Sequence, residues 1–194
     1  MPRTQKLNPM LPVPRALAAA AALVVVLATG VGVARAAELI PSIGVGKALN
    51  ETDATRPFVG VALRTGLVPF VKTELGVAYR SESRFDDQLT IRMFPVTGSL
   101  WFSPLPTMYA GGGVGWYPET YSYDQAKITV PAVNETKQAF GFHVGGGMRM
   151  PIPPVAAIDL NARYVMMRPQ DTPIVPEKFS PDFWTASIGF SIHI

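Results

Sequence analysis

From residue 184 onward, Trp184, Ala186, Ile188, Phe190, Ile192 and Ile194 alternate with Thr185, Ser187, Gly189, Ser191 and His193. A period of two is that of a β-strand, and here one face is apolar while the other is small and polar. The pattern recurs over 42–48, 58–65, 71–80, 89–102, 108–117, 140–150 and 156–164, with no helical periodicity between the runs. Repeated strands of about ten residues, each with one apolar face, fit a sheet closed on itself in lipid, because closure leaves no unpaired backbone edge there.

The chain has 194 residues, enough for one β domain once the N-terminus is set aside. Residues 1–15 carry Arg3, Lys6 and Arg15 without an acid, and 16–34 are uncharged and rich in Ala, Leu and Val. Ala34-Arg35-Ala36 then supplies the small-x-small triplet of a signal-peptidase site. We therefore expect a signal peptide over 1–36, cleaved after Ala36, and a barrel over 37–194. An uncleaved anchor is the competing reading, since the uncharged stretch is just long enough to span a bilayer. Arg3, Lys6, Arg15 and Arg35 leave with 1–36, so 17 basic against 14 acidic residues become 13 against 14. No basic patch that would point to nucleic acid remains. The absence of cysteine excludes a disulfide framework and a lipid-attachment Cys at the cleavage site. No cofactor or metal is expected.

Polar or charged stretches at 50–53, 82–87, 118–137 and 168–181 alternate with tight ones at 66–69, 103–106 and 151–154. Short periplasmic turns, longer outer loops and both ends on the periplasmic side are the layout of an eight-stranded up-and-down barrel. A soluble lipocalin-like barrel would turn its apolar face inward. One run breaks its alternation: Leu89, Ile91 and Met93 form the outward set before Pro95, and Val96, Gly98, Leu100 and Phe102 form it afterwards. Proline lacks a ladder donor, so a β-bulge at Phe94-Pro95 is expected there.

Met93-Phe94-Pro95-Val96-Thr97, Tyr109-Ala110-Gly111-Gly112-Gly113-Val114-Gly115-Trp116-Tyr117 and the final strand resemble the small outer-membrane β-barrel domain family of OmpA-like, OmpW-like and opacity-type proteins. The resemblance spans 38–194. It implies an all-β, eight-stranded antiparallel transmembrane barrel in the outer membrane of a Gram-negative bacterium. Its implied partners are outer-membrane lipid, lipopolysaccharide and the assembly machinery, and its implied state is monomeric. The family usually ends on an aromatic residue; this chain ends on Ile194, with Phe190 the nearest aromatic.

The polar phase of the strands carries Lys72, Glu74, Arg80, Arg92, Arg149, Asp159 and Arg163, joined by Arg64. Charges in a narrow lumen are expected to pair as one network, and an eight-stranded barrel is just wide enough for side chains to fill. His143 and His193, the two histidines, fall on the same phase. Outer-membrane lipid A deacylases place a Ser two residues after a His, where this chain has Gly145, so no enzymatic activity is expected. Gly111-Gly112-Gly113 and Gly145-Gly146-Gly147 lack the spacing and the following helix of a phosphate loop. Phe70, Phe102, Trp116, Tyr164 and Trp184 at strand ends suit interfacial girdles. The third outer loop, with Tyr117, Tyr121, Tyr123 and Ile128-Thr129-Val130, is the expected contact surface. The function expected is non-enzymatic, in membrane integrity or surface interaction, with a narrow channel for small or amphipathic solutes as the alternative.

Overall fold

The computed structural model describes residues 37–49, 55–84, 88–124, 126, 134–154, 156–168, 170–172, 175–179 and 182–194. The expected signal segment 1–36 and Ile128-Thr129-Val130 lie outside the described residues. The strands are β1 (Ala37–Ala48), β2 (Thr55–Val68), β3 (Val71–Arg84), β4 (Leu89–Met93), β5 (Val96–Leu105), β6 (Met108–Tyr123), β7 (Glu135–Ile152), β8 (Ala156–Met167), β9 (Gln170–Thr172), β10 (Val175–Phe179) and β11 (Phe183–His193). β4 and β5 both lie between β3 and β6, so they are two halves of one stave. Each stave pairs antiparallel with its sequence neighbour, and β1 pairs with β11 to close an eight-stave barrel. At that seam Glu38 stands opposite His193 and Val45 opposite Ala186. β9 and β10 form a separate hairpin inside the stretch expected as a proline-rich loop.

Burial follows the pleat with the polarity of a soluble protein reversed. Phe140, Phe142, Val114, Leu100, Ile43 and Ile188 are exposed on the outside, whereas Arg64, Glu74, Asp159, His143 and Arg149 are buried inside. Exposed apolar surface of this extent, wrapped around a polar interior, requires lipid as the surrounding solvent. The lipocalin-like alternative is thereby removed. Trp116, Tyr164 and Trp184 flank the apolar band toward the outer ends, and Phe70 and Phe102 flank it toward the short turns, as interfacial aromatics do. Ile188 and Leu160 face each other across β11 and β8 in mid-band. Replacing either with Arg should reduce stability in vesicles by about 2–4 kcal/mol. Arg at the neighbouring inward Ser187 should lose less to desolvation, so unfolding titrations that ranked the two faces the other way would invert this assignment.

The expected β-bulge at Phe94-Pro95 is absent. Arg80 pairs with Met93 and Val77 with Val96, one continuous register against β3, and the same holds against β6 with Met93 opposite Glu119 and Val96 opposite Trp116. Phe94 N–H donates to the Pro118 carbonyl and Ala78 N–H to the Pro95 carbonyl, so the ladder runs through the proline without slipping. What changes is the medium. Leu89, Ile91 and Met93 are buried inside, not lipid-facing as expected, and Arg92 is exposed outside, not in the lumen. Above the lipid the strands meet water outside and pack on one another inside, so the polarity inverts while the pleat continues.

Candidate functional site in the barrel lumen

Inward positions stack in layers along the barrel. The lowest is built on Glu38 of β1, a residue the alternation of the first run did not single out. Its Oε1 receives Lys72 Nζ at 3.1 Å and Arg149 Nη1 at 2.6 Å, and its Oε2 receives the Ser191 hydroxyl at 3.1 Å. His193 Nε2 lies 3.2 Å from Arg149 Nη2. Below this layer a vestibule of about 550 Å³ opens between the short turns, walled by Pro104, Pro106, Pro151, Pro153 and Pro154.

The middle layer bridges the lumen. Arg64 reaches from β2 to Glu74 Oε2 of β3 at 2.7 Å and to Asp159 Oδ2 of β8 at 2.7 Å. Arg163 holds the other oxygen of Glu74 at 2.6 Å and donates from Nε to Asn161 Oδ1 at 2.7 Å. The Tyr109 hydroxyl donates to Asp159 Oδ1 at 2.5 Å and accepts from Asn161 Nδ2 at 3.0 Å. Arg64 lies over the Tyr109 ring at 4.5 Å and Arg163 over the Trp101 ring at 5.0 Å. Two guanidiniums and two carboxylates balance, every oxygen of the carboxylates accepts a hydrogen bond, and fully buried Trp101 fills the remaining width. Such a group satisfies the demands on charges removed from water.

Beside it, the Ser99 hydroxyl and His143 Nε2 are 2.9 Å apart, while His143 Nδ1 has no hydrogen-bond partner among the described residues. The approach of β5, β6 and β7 that seats this pair requires Gly113. A Cβ there would collide with the Gly98 carbonyl oxygen and come within 2.8 Å of the His143 ring. Gly113→Ala should therefore cost about 1–3 kcal/mol by overpacking, measurable as an earlier urea midpoint. An unchanged midpoint would show that the strands yield without strain.

Higher still, Arg80 lies over the Phe183 ring at 4.0 Å, and Phe183 packs edge-on against Tyr117 at 6.3 Å. Met93, Ala139, Val165 and Met167 complete this apolar layer. A cavity of about 100 Å³ separates it from the charged layer, lined by Thr97, Tyr117, His143, Asn161, Arg163 and Ser187 among others. Tyr117, Tyr121 and Tyr123, expected on a contact loop, belong to β6 and are buried inside the barrel's outer end. The Tyr121 hydroxyl donates to Glu119 at 2.5 Å. The tyrosines alternate with Pro118, Thr120 and Ser122 and so continue the pleat past the lipid, which is why the stretch reads as a polar loop in the sequence.

Of the expected lumen charges, Glu74, Asp159 and Arg163 therefore meet in one group with Arg64. Lys72 and Arg149 meet at Glu38, Arg80 caps the apolar layer, and Arg92 is outside. Ser99, Trp101, Tyr109 and Asn161 were not anticipated. The outward set Val96, Gly98, Leu100 and Phe102 already leaves Ser99 and Trp101 on the inward phase, and that alternation is the signal which could have found them.

These features define a transmembrane β-barrel of the outer-membrane class whose lumen is bridged by a charged group. Solved structures similar to it include OprG, an outer-membrane protein from Pseudomonas aeruginosa, with TM-score 0.53, 13% identity and coverage of 82% of this chain and 96% of that one. A major outer-membrane protein from Thermus thermophilus gives 0.52 at 12% identity, covering 81% and 99%. Ail of Yersinia pestis, solved with the heparin analogue sucrose octasulfate, gives 0.51 at 13% identity, covering 82% and 98%. No protein-family model matches the chain, and no curated protein does.

Proposed function

We propose that this protein is exported by its 1–36 segment and acts as a closed, monomeric, non-enzymatic barrel of the outer membrane, serving envelope integrity and surface interaction through its outer end. The observation that carries this reading is the Arg64–Glu74–Asp159–Arg163 group, which spans the lumen between β2, β3 and β8 with Trp101 and Tyr109 filling the same level. A non-enzymatic role is supported by the Ser99–His143 pair, whose Nδ1 meets no carboxylate among the described residues. The second reading, a narrow channel for small or amphipathic solutes, draws on the vestibule and the cavity on either side of the charged layer. It requires that layer to part. Cells lacking the protein should admit detergents and bulky antibiotics that an intact outer membrane excludes, with uptake of small solutes unchanged. Impaired solute uptake with an intact barrier would favour the channel instead.

A further inference from the structure

The vestibule below the Glu38 layer offers hydrogen-bond donors from its floor and few from its walls. Its volume of about 550 Å³ falls in the range of small-molecule pockets, about 300–1,000 Å³. Pro104, Pro106, Pro151, Pro153 and Pro154 on the walls carry no N–H. Ser103, the hydroxyl residue of the wall, is engaged within the protein. Its N–H donates to the Phe70 carbonyl at 2.7 Å, and its hydroxyl faces the carbonyls of Leu105 and Met108 at 2.9 and 3.0 Å. Val68 and Phe70, both exposed, add apolar surface at the rim.

The floor is charged. Glu38 Oε1 receives both Lys72 Nζ and Arg149 Nη1, while Oε2 receives a neutral hydroxyl, so two cations share one carboxylate and a positive charge is left over. Lys72 presents it to the cavity. Its ammonium has three donors and meets one acceptor, Glu38, among the described residues, and its side chain is 29% exposed against 8% for the carboxylate. A cation with donors to spare, at the bottom of apolar walls, selects a ligand with an anionic head and an apolar body. One surplus charge suits a monoanion; a phosphate monoester, at about −1.5 to −2 near pH 7, exceeds it.

We propose that the vestibule is a binding site for a small amphipathic monocarboxylate, with the carboxylate on Lys72 and its aliphatic body along the proline walls toward Val68 and Phe70. The proposal rests on the barrel reading and adds to it a ligand class and the residues that recognise it. Binding there needs no parting of the Arg64, Glu74, Asp159 and Arg163 group above, so it does not depend on whether the lumen conducts.

The test titrates octanoate into the refolded protein in phosphatidylcholine nanodiscs by calorimetry, with protein-free discs as the baseline. The parent should bind octanoate saturably at one site. Octanol, which lacks the charge, should bind at least about tenfold more weakly, and Lys72→Gln should weaken octanoate by a similar factor, the size expected for a lost charged hydrogen bond. Lys72→Arg should restore it. A second variant blocks the space and leaves the charges alone: a Cβ at Gly66, directly opposite Lys72, meets nothing within 4 Å, so Gly66→Trp fills the vestibule without a backbone clash and should abolish binding. Phe70 has φ 67°, a backbone that bulky residues rarely adopt, so Phe70→Gly keeps the turn and should weaken octanoate more than butanoate. Equal octanoate affinity in the parent, Lys72→Gln and Gly66→Trp overturns the proposal, and octyl phosphate binding more tightly than octanoate overturns the choice of carboxylate. A parent that folds in discs, as judged by its β-sheet circular dichroism, yet binds no octanoate overturns the proposal alone; a parent that forms no β-sheet in discs refutes the barrel reading itself.

Discussion

Replacing Arg64 with alanine should destabilise the embedded barrel by about 3–5 kcal/mol, the range for breaking a buried ion pair from one side. Arg64 is the cation shared by two carboxylates on different strands. Its removal leaves Glu74 with Arg163 alone, and leaves Asp159 with the hydroxyl of Tyr109 and no cation among the described residues. The penalty comes from the stranded acids more than from the lost attraction. A triple variant, Arg64→Met with Glu74→Gln and Asp159→Asn, removes the charges together and should lie much closer to the parent. Urea unfolding in lipid vesicles measures both. If Arg64→Ala shifted stability by less than about 1 kcal/mol, as exposed pairs do, the acids would have to be solvated and the lumen open.

Removing the acids instead should weaken the fold and change what passes through it. In Glu74→Ala with Asp159→Ala, Arg64 and Arg163 keep their charge, because guanidiniums do not deprotonate in proteins, and both lose their carboxylate partners. A stability loss of about 3–5 kcal/mol is expected. The two guanidiniums repel, and space is freed where the carboxylates stood. Below them Lys72 and Arg149 outnumber Glu38, so the path that opens is cationic at the charged layer and below it and should favour anions. A double variant as stable and as electrically silent as the parent would mean that these acids do not hold the plug together.

The membrane half of the barrel is legible in the sequence because one physical rule governs it: apolar residues face lipid, and small or charged ones face the lumen. Glu74, Asp159 and Arg163 follow directly from that alternation. Their partners do not, since Arg64 and Asp159 meet across the barrel at a separation of 95 residues, and pairing of that kind depends on stagger and closure. Glu38 escapes because Pro41 hides the start of the first run, which reads as a strand only from residue 42, although β1 starts at Ala37 and pairs through Pro41 opposite Val61. The outer end misleads for a different reason. Leu89, Ile91 and Met93 keep the pleat while the medium changes from lipid to water, so a rule that holds in the membrane assigns them, and Arg92, to the wrong face, while Tyr121 and Tyr123, on the same continued pleat, read as a loop.

Single-protein conductance in a planar lipid bilayer tests the closed lumen most directly. With the Arg64, Glu74, Asp159 and Arg163 group bridging the barrel, the refolded parent should show no sustained current in either polarity, while the variant lacking Glu74 and Asp159 should conduct with anion preference. Stable, ohmic steps from the parent itself would contradict the account and make the channel reading the better one.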